Sequence, residues 1–180
     1  MTTFPEGVWL LDPAHSEVSF TVKHLMVSKV RGRFGAIEGK AVTGASFIDA
    51  QIEAEIDISS ITTGDAGRDA HLRGEDFFAV EEFPKARFES TSIESTKSED
   101  ELLLHGNLTI RDVTLPVTFS AVIGGVAIDP YGQTKAAIEA KAVISRGAFG
   151  LTWNTALETG GVLVSDEVKL NIEAQAVLQA

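Results

Sequence analysis

Apolar and polar residues alternate with a period of two along most of this chain, and that alternation is what most restricts its fold. From Ser16 the even positions are Val18, Phe20, Val22, His24 and Met26, with Glu17, Ser19, Thr21 and Lys23 between them. Successive side chains of an extended strand point to opposite faces, so such a run makes a strand with one apolar side. The pattern returns at Ile48, Ile52, Ala54, Ile56 and Ile58, opposite Gln51, Glu53, Glu55 and Asp57. It returns again at Leu102–Ile110, Val113–Ile123, Ala136–Ile144 and Val168–Leu178. Shorter candidate strands lie near Val8–Leu11, Val30–Lys40 and Ala86–Ile93.

Turn chemistry separates the runs at Lys97–Asp100, Arg111-Asp112, Asp129–Gly132 and Gly160-Gly161. Pro116 has no backbone donor and predicts an edge, a bulge or a strand end. One segment breaks the rhythm. Asp65 to Phe78 predicts a short helix capped near Asp65, followed by the aromatic residues Phe77, Phe78 and Phe83. One-sided strands with short connections predict an all-β, antiparallel barrel of eight strands with a helical insert at 65–78. A closed sheet has no exposed edges; a sandwich is the rival. The 180 residues suit one domain, 1–180.

Composition narrows the partners. Fifteen basic against 26 acidic residues give a formal charge of −11, which on average repels nucleic acid and anionic membranes. With no cysteine, disulfides, thiolate metal sites and cysteine nucleophiles are excluded. The first residues do not read as a secretory signal, and no run approaches the ~20 apolar residues of a membrane span. The expectation is a cytoplasmic protein without stable membrane insertion. The four histidines do not gather into a zinc-ligand spacing, and no phosphate-binding loop, dinucleotide fingerprint or nucleophile elbow occurs.

The apolar faces differ in bulk. Early strands offer Phe20, Val22, Ile52 and Ile56, and Phe88, Leu108 and Phe119 share this inward parity. Later strands offer Gly106, Ala121, Ala136, Ala140, Ala142, Ala174 and Ala176. So many small residues either leave an elongated void or fit a taper against bulky neighbours. Among polar residues, His15 stands near Asp12, and His24 has inward parity at a strand end. Arg68, Asp69, His71, Leu72 and Arg73 form a dense cluster in the insert, either as a salt-bridged lid or as a gate.

Trp9-Leu-Leu-Asp-Pro-Ala-His-Ser16 with Val18, Phe20 and Val22-Lys-His24 resembles the opening of the YceI-like family. Arg68-Asp-Ala-His-Leu72, Phe77-Phe78, Phe83-Pro84 and Ala86-Arg-Phe-Glu-Ser90 are similar to its central motif. Gly106–Ile110, Pro116-Val117, Arg146, Phe149-Gly150, Trp153 and Asp166–Leu170 resemble its later blocks, in the same order. The resemblance implies a lipocalin-like barrel of eight antiparallel strands that takes polyisoprenoid chains or similar amphiphiles into its lumen. It implies no catalytic residue and no metal.

On this reading the ligand is an amphiphilic lipid such as an isoprenoid or a quinone, with no other cofactor and no nucleic-acid partner. The expected lumen residues are Phe20, Val22, Ile52, Ile56, Phe88, Leu108, Phe119, Ala140 and Ala174. His24, Arg31 and Arg33 are the head-group candidates at the mouth, and Arg68, Asp69, His71 and Leu72 the lid. A homodimer is the expected form of any self-association. Two other functions stay open: a hydrolase or isomerase on a lipid-like substrate using His15 or His24, and a structural or stress-response interaction module with a filled barrel.

Overall fold

The computed structural model describes residues 4–98 and 101–179. The alternating runs form β1 (Gly7–Leu11), β2 (Glu17–His24), β3 (Ser28–Phe34), β4 (Ile37–Thr43), β5 (Gln51–Asp57) and β6 (Ile61–Thr62). They continue as β7 (Lys85–Ser95), β8 (Glu101–Ile110), β9 (Val113–Ile128), β10 (Thr134–Ser145) and β11 (Val164–Leu178). All pairings are antiparallel, and β11 pairs back onto β1 and β2. That closure makes a barrel and excludes the sandwich.

The eleven segments occupy eight places in the wall because three strands are bent. β1 and β2 are one strand: β11 pairs its Ala176–Leu178 with Leu11–Trp9 and its Val168–Glu173 with Val22–Glu17. The bend between them holds Pro13, which has no N–H, while the Asp12 side chain accepts from Ala14 N at 3.0 Å. β3 and β4 bend at Gly35-Ala36, and β5 and β6 at Ile58–Ser60. These two bends satisfy each other. Ser60 Oγ accepts from Gly35 N and Ala36 N at 3.1 Å each, and Asp57 N donates to Ala36 O at 3.0 Å. Backbone groups freed from the ladder are thereby paired again.

Several expectations are corrected locally. The strand from Ser16 stops at His24, so Met26 lies in an exposed turn instead of on the inward face. The run expected from Ile48 starts later, because Ser46 caps a tight turn at Phe47–Asp49. The insert is helical only over α1 (Ala66–Arg73), with Asp65 as its N-cap. Gly74 ends it by donating to His71 O, and Phe77 and Phe78 follow in irregular turns. Pro116 falls where β9 pairs with β8 on one side and β10 has not yet joined on the other. The turn expected at Lys97–Asp100 falls between β7 and β8 in the chain, and its Glu99 and Asp100 lie outside the described residues.

Two inward glycines make room for rings. A Cβ on Gly106 would stand 2.4 Å from the Phe88 ring, and one on Gly32 would stand 2.3 Å from the Phe20 ring. Gly106 therefore does not add to a void; Phe88 lies over it and meets Phe119 edge to face at 5.5 Å. At one end of the barrel Phe4 packs on Phe47 at 4.7 Å and on the buried Trp9 at 5.5 Å. Trp9 Nε1 donates to Thr43 Oγ1 at 3.0 Å, which in turn donates to Pro5 O at 2.7 Å. The polar edge of the indole is satisfied and this end is plugged.

Gly32→Ala should cost about 1–3 kcal/mol by overpacking against Phe20. The cost should shrink clearly in a Phe20→Leu background. Urea unfolding of the four proteins of this cycle measures it.

Candidate functional site

The barrel encloses a cavity of about 440 Å³. Phe20, Val22, Ile52, Ile56, Phe88, Leu108, Phe119, Ala140 and Ala174 all line it. The small residues divide. Ala136, Ala140, Ala174 and Ala176 border the cavity, whereas Ala121 and Ala142 are buried in the packed core. Parity alone does not separate these groups, because both point inward.

Polar residues border the cavity in two places: Glu38, Lys40, Glu53, Glu55 and Arg87 along β4, β5 and β7, and a second group at the end away from the aromatic plug. His24, Thr63, Arg68, His71 and Arg146 border the cavity there, beside Trp153, Leu163 and Val164. His24 is half-buried at the end of β2. Arg31 and Arg33 are not at this mouth. They stand on the outer face of β3, exposed, and Arg33 pairs with Glu17 at 3.4 Å. Their odd positions on a strand whose even members face inward put them outside.

The insert covers this polar end. Arg68 Nε and Nη2 donate to Thr63 Oγ1 and Thr63 O at 2.7 and 3.0 Å. Asp69 is buried, does not border the cavity, and accepts from Thr63 N at 2.8 Å and Thr63 Oγ1 at 2.6 Å. The Thr63 hydroxyl bond is the main cause holding the Asp69 carboxyl below the usual carboxylate range. Asp69 and Arg73 do not pair along the helix. Arg73 donates instead to Ser59 O and Ile61 O, both at 2.8 Å. One flank of α1 is thus fastened to residues 59–63 by hydrogen bonds. Its other flank rests on rings: His71 meets Phe77 and Trp153 edge to face at 5.1 and 4.8 Å. His71 Nε2 also lies 2.8 Å from Asp76. Leu72 joins both main core clusters.

Arg146 was not a candidate site residue from spacing, yet it organises the far side of the mouth. The residue is 8% exposed, and its guanidinium donates to Leu151 O, Trp153 O, Ser165 O and Val164 O at 2.7 to 3.2 Å. Burial pulls its pKa down, and Asp166 opposes that shift. Five fixed donors make arginine suited to gathering several carbonyls at once. Together with Asn154, whose side chain donates to Val164 O at 2.7 Å and accepts from Val164 N at 3.1 Å, Arg146 ties the 146–164 segment to the start of β11, with Trp153 against His71.

The remaining histidines offer little to chemistry in the cavity. His15 pairs with Asp12 at 2.9 Å on the exposed bend between β1 and β2, away from the cavity lining. His105 faces outward and shares a hydrogen bond of 2.8 Å with Thr118. His24 borders the cavity, and among the described residues its ring has no hydrogen-bonded carboxylate. No group of three metal-ligating side chains occurs among the described residues.

Arg146→Met keeps the bulk and removes the donors, leaving buried carbonyls unpaired. It should lower unfolding stability by about 3 kcal/mol or more. Urea denaturation reads the loss, and Trp153 fluorescence should report loosening of the mouth.

This arrangement has relatives. The model of the YceI-like domain matches residues 9–176. A UPF0312 protein of Staphylococcus aureus strain bovine RF122 is 40% identical over 167 residues, spanning 91% of this chain and 94% of that protein. The YceI protein of Campylobacter jejuni superposes over the whole of both chains with a TM-score of 0.75 and 30% identity. A polyisoprenoid-binding domain from Saccharophagus degradans shares the fold at a TM-score of 0.74 and 13% identity, over 95% of this chain and 98% of that one. With a closed barrel, a covering helix and a matched family model over nearly its whole length, the chain belongs to the YceI-like family.

Proposed function

We propose that the barrel binds one long-chain isoprenoid, or a similar amphiphilic lipid, in its lumen and carries or sequesters it. The cavity of about 440 Å³ lined by aliphatic and aromatic side chains is the observation that supports this reading. The volume falls within the ~300–1,000 Å³ of small-molecule sites. Left empty, a dry cavity of 440 Å³ would cost about 10 kcal/mol at ~24 cal/mol per Å³. That equals the whole net stability of an ordinary domain, about 5–15 kcal/mol. Water is a poor filler, since each molecule needs two to four polar partners. A hydrocarbon chain recovers ~0.8 kcal/mol for each methylene it buries.

The polar groups at one end give an amphiphile its direction. The tail lies toward the plug of Phe4, Trp9 and Phe47, and the head lies among His24, Arg68 and His71. The solved relative from Saccharophagus is named for binding polyisoprenoids, which supports the choice of chain. An interaction module with a filled barrel would need a negligible cavity. A hydrolase or isomerase using His15 or His24 would need a paired base inside it. The His15–Asp12 pair stands outside, and among the described residues His24 has no hydrogen-bonded carboxylate. His71, which borders the lumen and pairs with Asp76, is packed edge to face on Phe77 and Trp153 in the covering insert.

Solvent extraction of protein purified without detergent should release a prenyl lipid. Ala140→Phe and Ala174→Phe should lower the lipid recovered per barrel while changing stability by less than about 1 kcal/mol. Undiminished lipid together with a loss of about 1–3 kcal/mol would show a packed barrel and overturn the proposal.

A further inference from the structure

The turn joining β2 to β3 breaks three local rules at once. Leu25 and Met26 both hold a left-handed backbone, with φ of 53° and 61°. Glycine or asparagine is the usual occupant there, and larger residues are strained. The turn also displays its apolar side chains: Leu25 is 41% exposed, Met26 54% and Val27 85%. Just behind it, Lys23 stands directly opposite Lys29, and like charges so placed repel. Arg31 and Lys169 extend the same outer face, with Lys169 opposite Thr21. Among the described residues none of these four cations forms an ion pair. Exposed Glu167 stands nearby on β11 and is likewise unpaired. Departures of this kind, gathered in one place, mark a surface shaped for something other than stability.

The position of the turn points to what it meets. His24, the residue before it, borders the cavity, and so do Leu163 and Val164. Leu25 N donates to Leu163 O at 2.8 Å, so the tip is tied to the rim of the mouth. Val162 adds exposed apolar surface beside it. We propose that this tip docks the barrel onto an anionic lipid bilayer. Leu25, Met26 and Val27 enter the interfacial layer, and Lys23, Lys29, Arg31 and Lys169 lie against the head groups. The rim of the lumen at His24, Leu163 and Val164 then lies beside the membrane surface.

The charge balance makes this inference specific. With a formal charge of −11 the molecule as a whole is repelled by an anionic surface. Attraction must come from a local patch, and it acts only within a Debye length, about 10 Å at 0.1 M salt. A second apolar turn carries Ile128 and Tyr131, 73% and 90% exposed, at the opposite end. There the barrel is plugged by Phe4, Trp9 and Phe47, so that turn serves as a control.

The test is flotation of the intact protein with phosphatidylcholine vesicles, with and without phosphatidylglycerol. Wild type should float with the anionic vesicles at low ionic strength and be released at about 0.5 M salt. Neutral vesicles should bind little. Lys23→Gln/Lys29→Gln should weaken binding by about fivefold for each charge removed. Val27→Asp should abolish it, and Ile128→Asp should leave it unchanged, all with melting temperatures near that of wild type. Equal flotation with neutral vesicles, or tip variants that bind like wild type, would overturn the proposal. So would a wild type that never floats, including one whose tip instead pairs two copies in ultracentrifugation. The readout is vesicle binding and not lumen content, so docking can fail while the lumen reading stands, and the converse.

Discussion

A strand edge that faces no partner leaves a row of N–H and C=O groups unpaired, and in this molecule β11 closes the sheet by joining β10 to β1 and β2. Its fifteen residues pair with β10 along one side and with both β1 and β2 along the other. Once that seam is made, the apolar side of every strand faces the same enclosed space. The existence of a lumen follows from closure; its emptiness follows from which residues fill it. Phe20 and Phe88 fold over Gly32 and Gly106 and occupy part of the interior. Alanines at Ala136, Ala140, Ala174 and Ala176 leave the rest open.

The bends in the wall are part of the same constraint. Three strands break; the β1–β2 break is satisfied by its own Asp12 side chain and by Gln175 O of β11, and the other two satisfy each other. α1 is fastened to the segment that follows one of these bends, through Thr63, Ser59 and Ile61. Arg146 does the corresponding work across the mouth by gathering carbonyls from two stretches of chain. The two sides meet where His71 packs on Trp153. A covering held by hydrogen bonds on one flank and by rings on the other has a fixed edge and a looser one.

Much of the wall was legible because strand parity is a local property. Nine inward positions chosen by alternation all border the cavity, and the helix began at the expected cap, Asp65. Parity could not find the bends, because a Ser60 hydroxyl that heals Gly35-Ala36 belongs to a distant part of the sequence. It leaves Gly106 undecided, since whether a small residue makes room depends on the ring across from it. It could not rank Arg146, whose role is set by four carbonyls brought together by the fold. Arg31 and Arg33, expected at the mouth, are placed outside by their own parity.

These features make the molecule a container whose stability and occupancy are linked. An apolar space of about 440 Å³ is expensive to leave empty, and the surrounding lattice of strands cannot collapse into it without opening the seam. The most direct test is a crystal structure of protein never exposed to detergent. Continuous elongated density from the Phe4–Trp9–Phe47 plug toward His24 is the expected result. Side chains closing the lumen, or only scattered water peaks within it, would contradict the account.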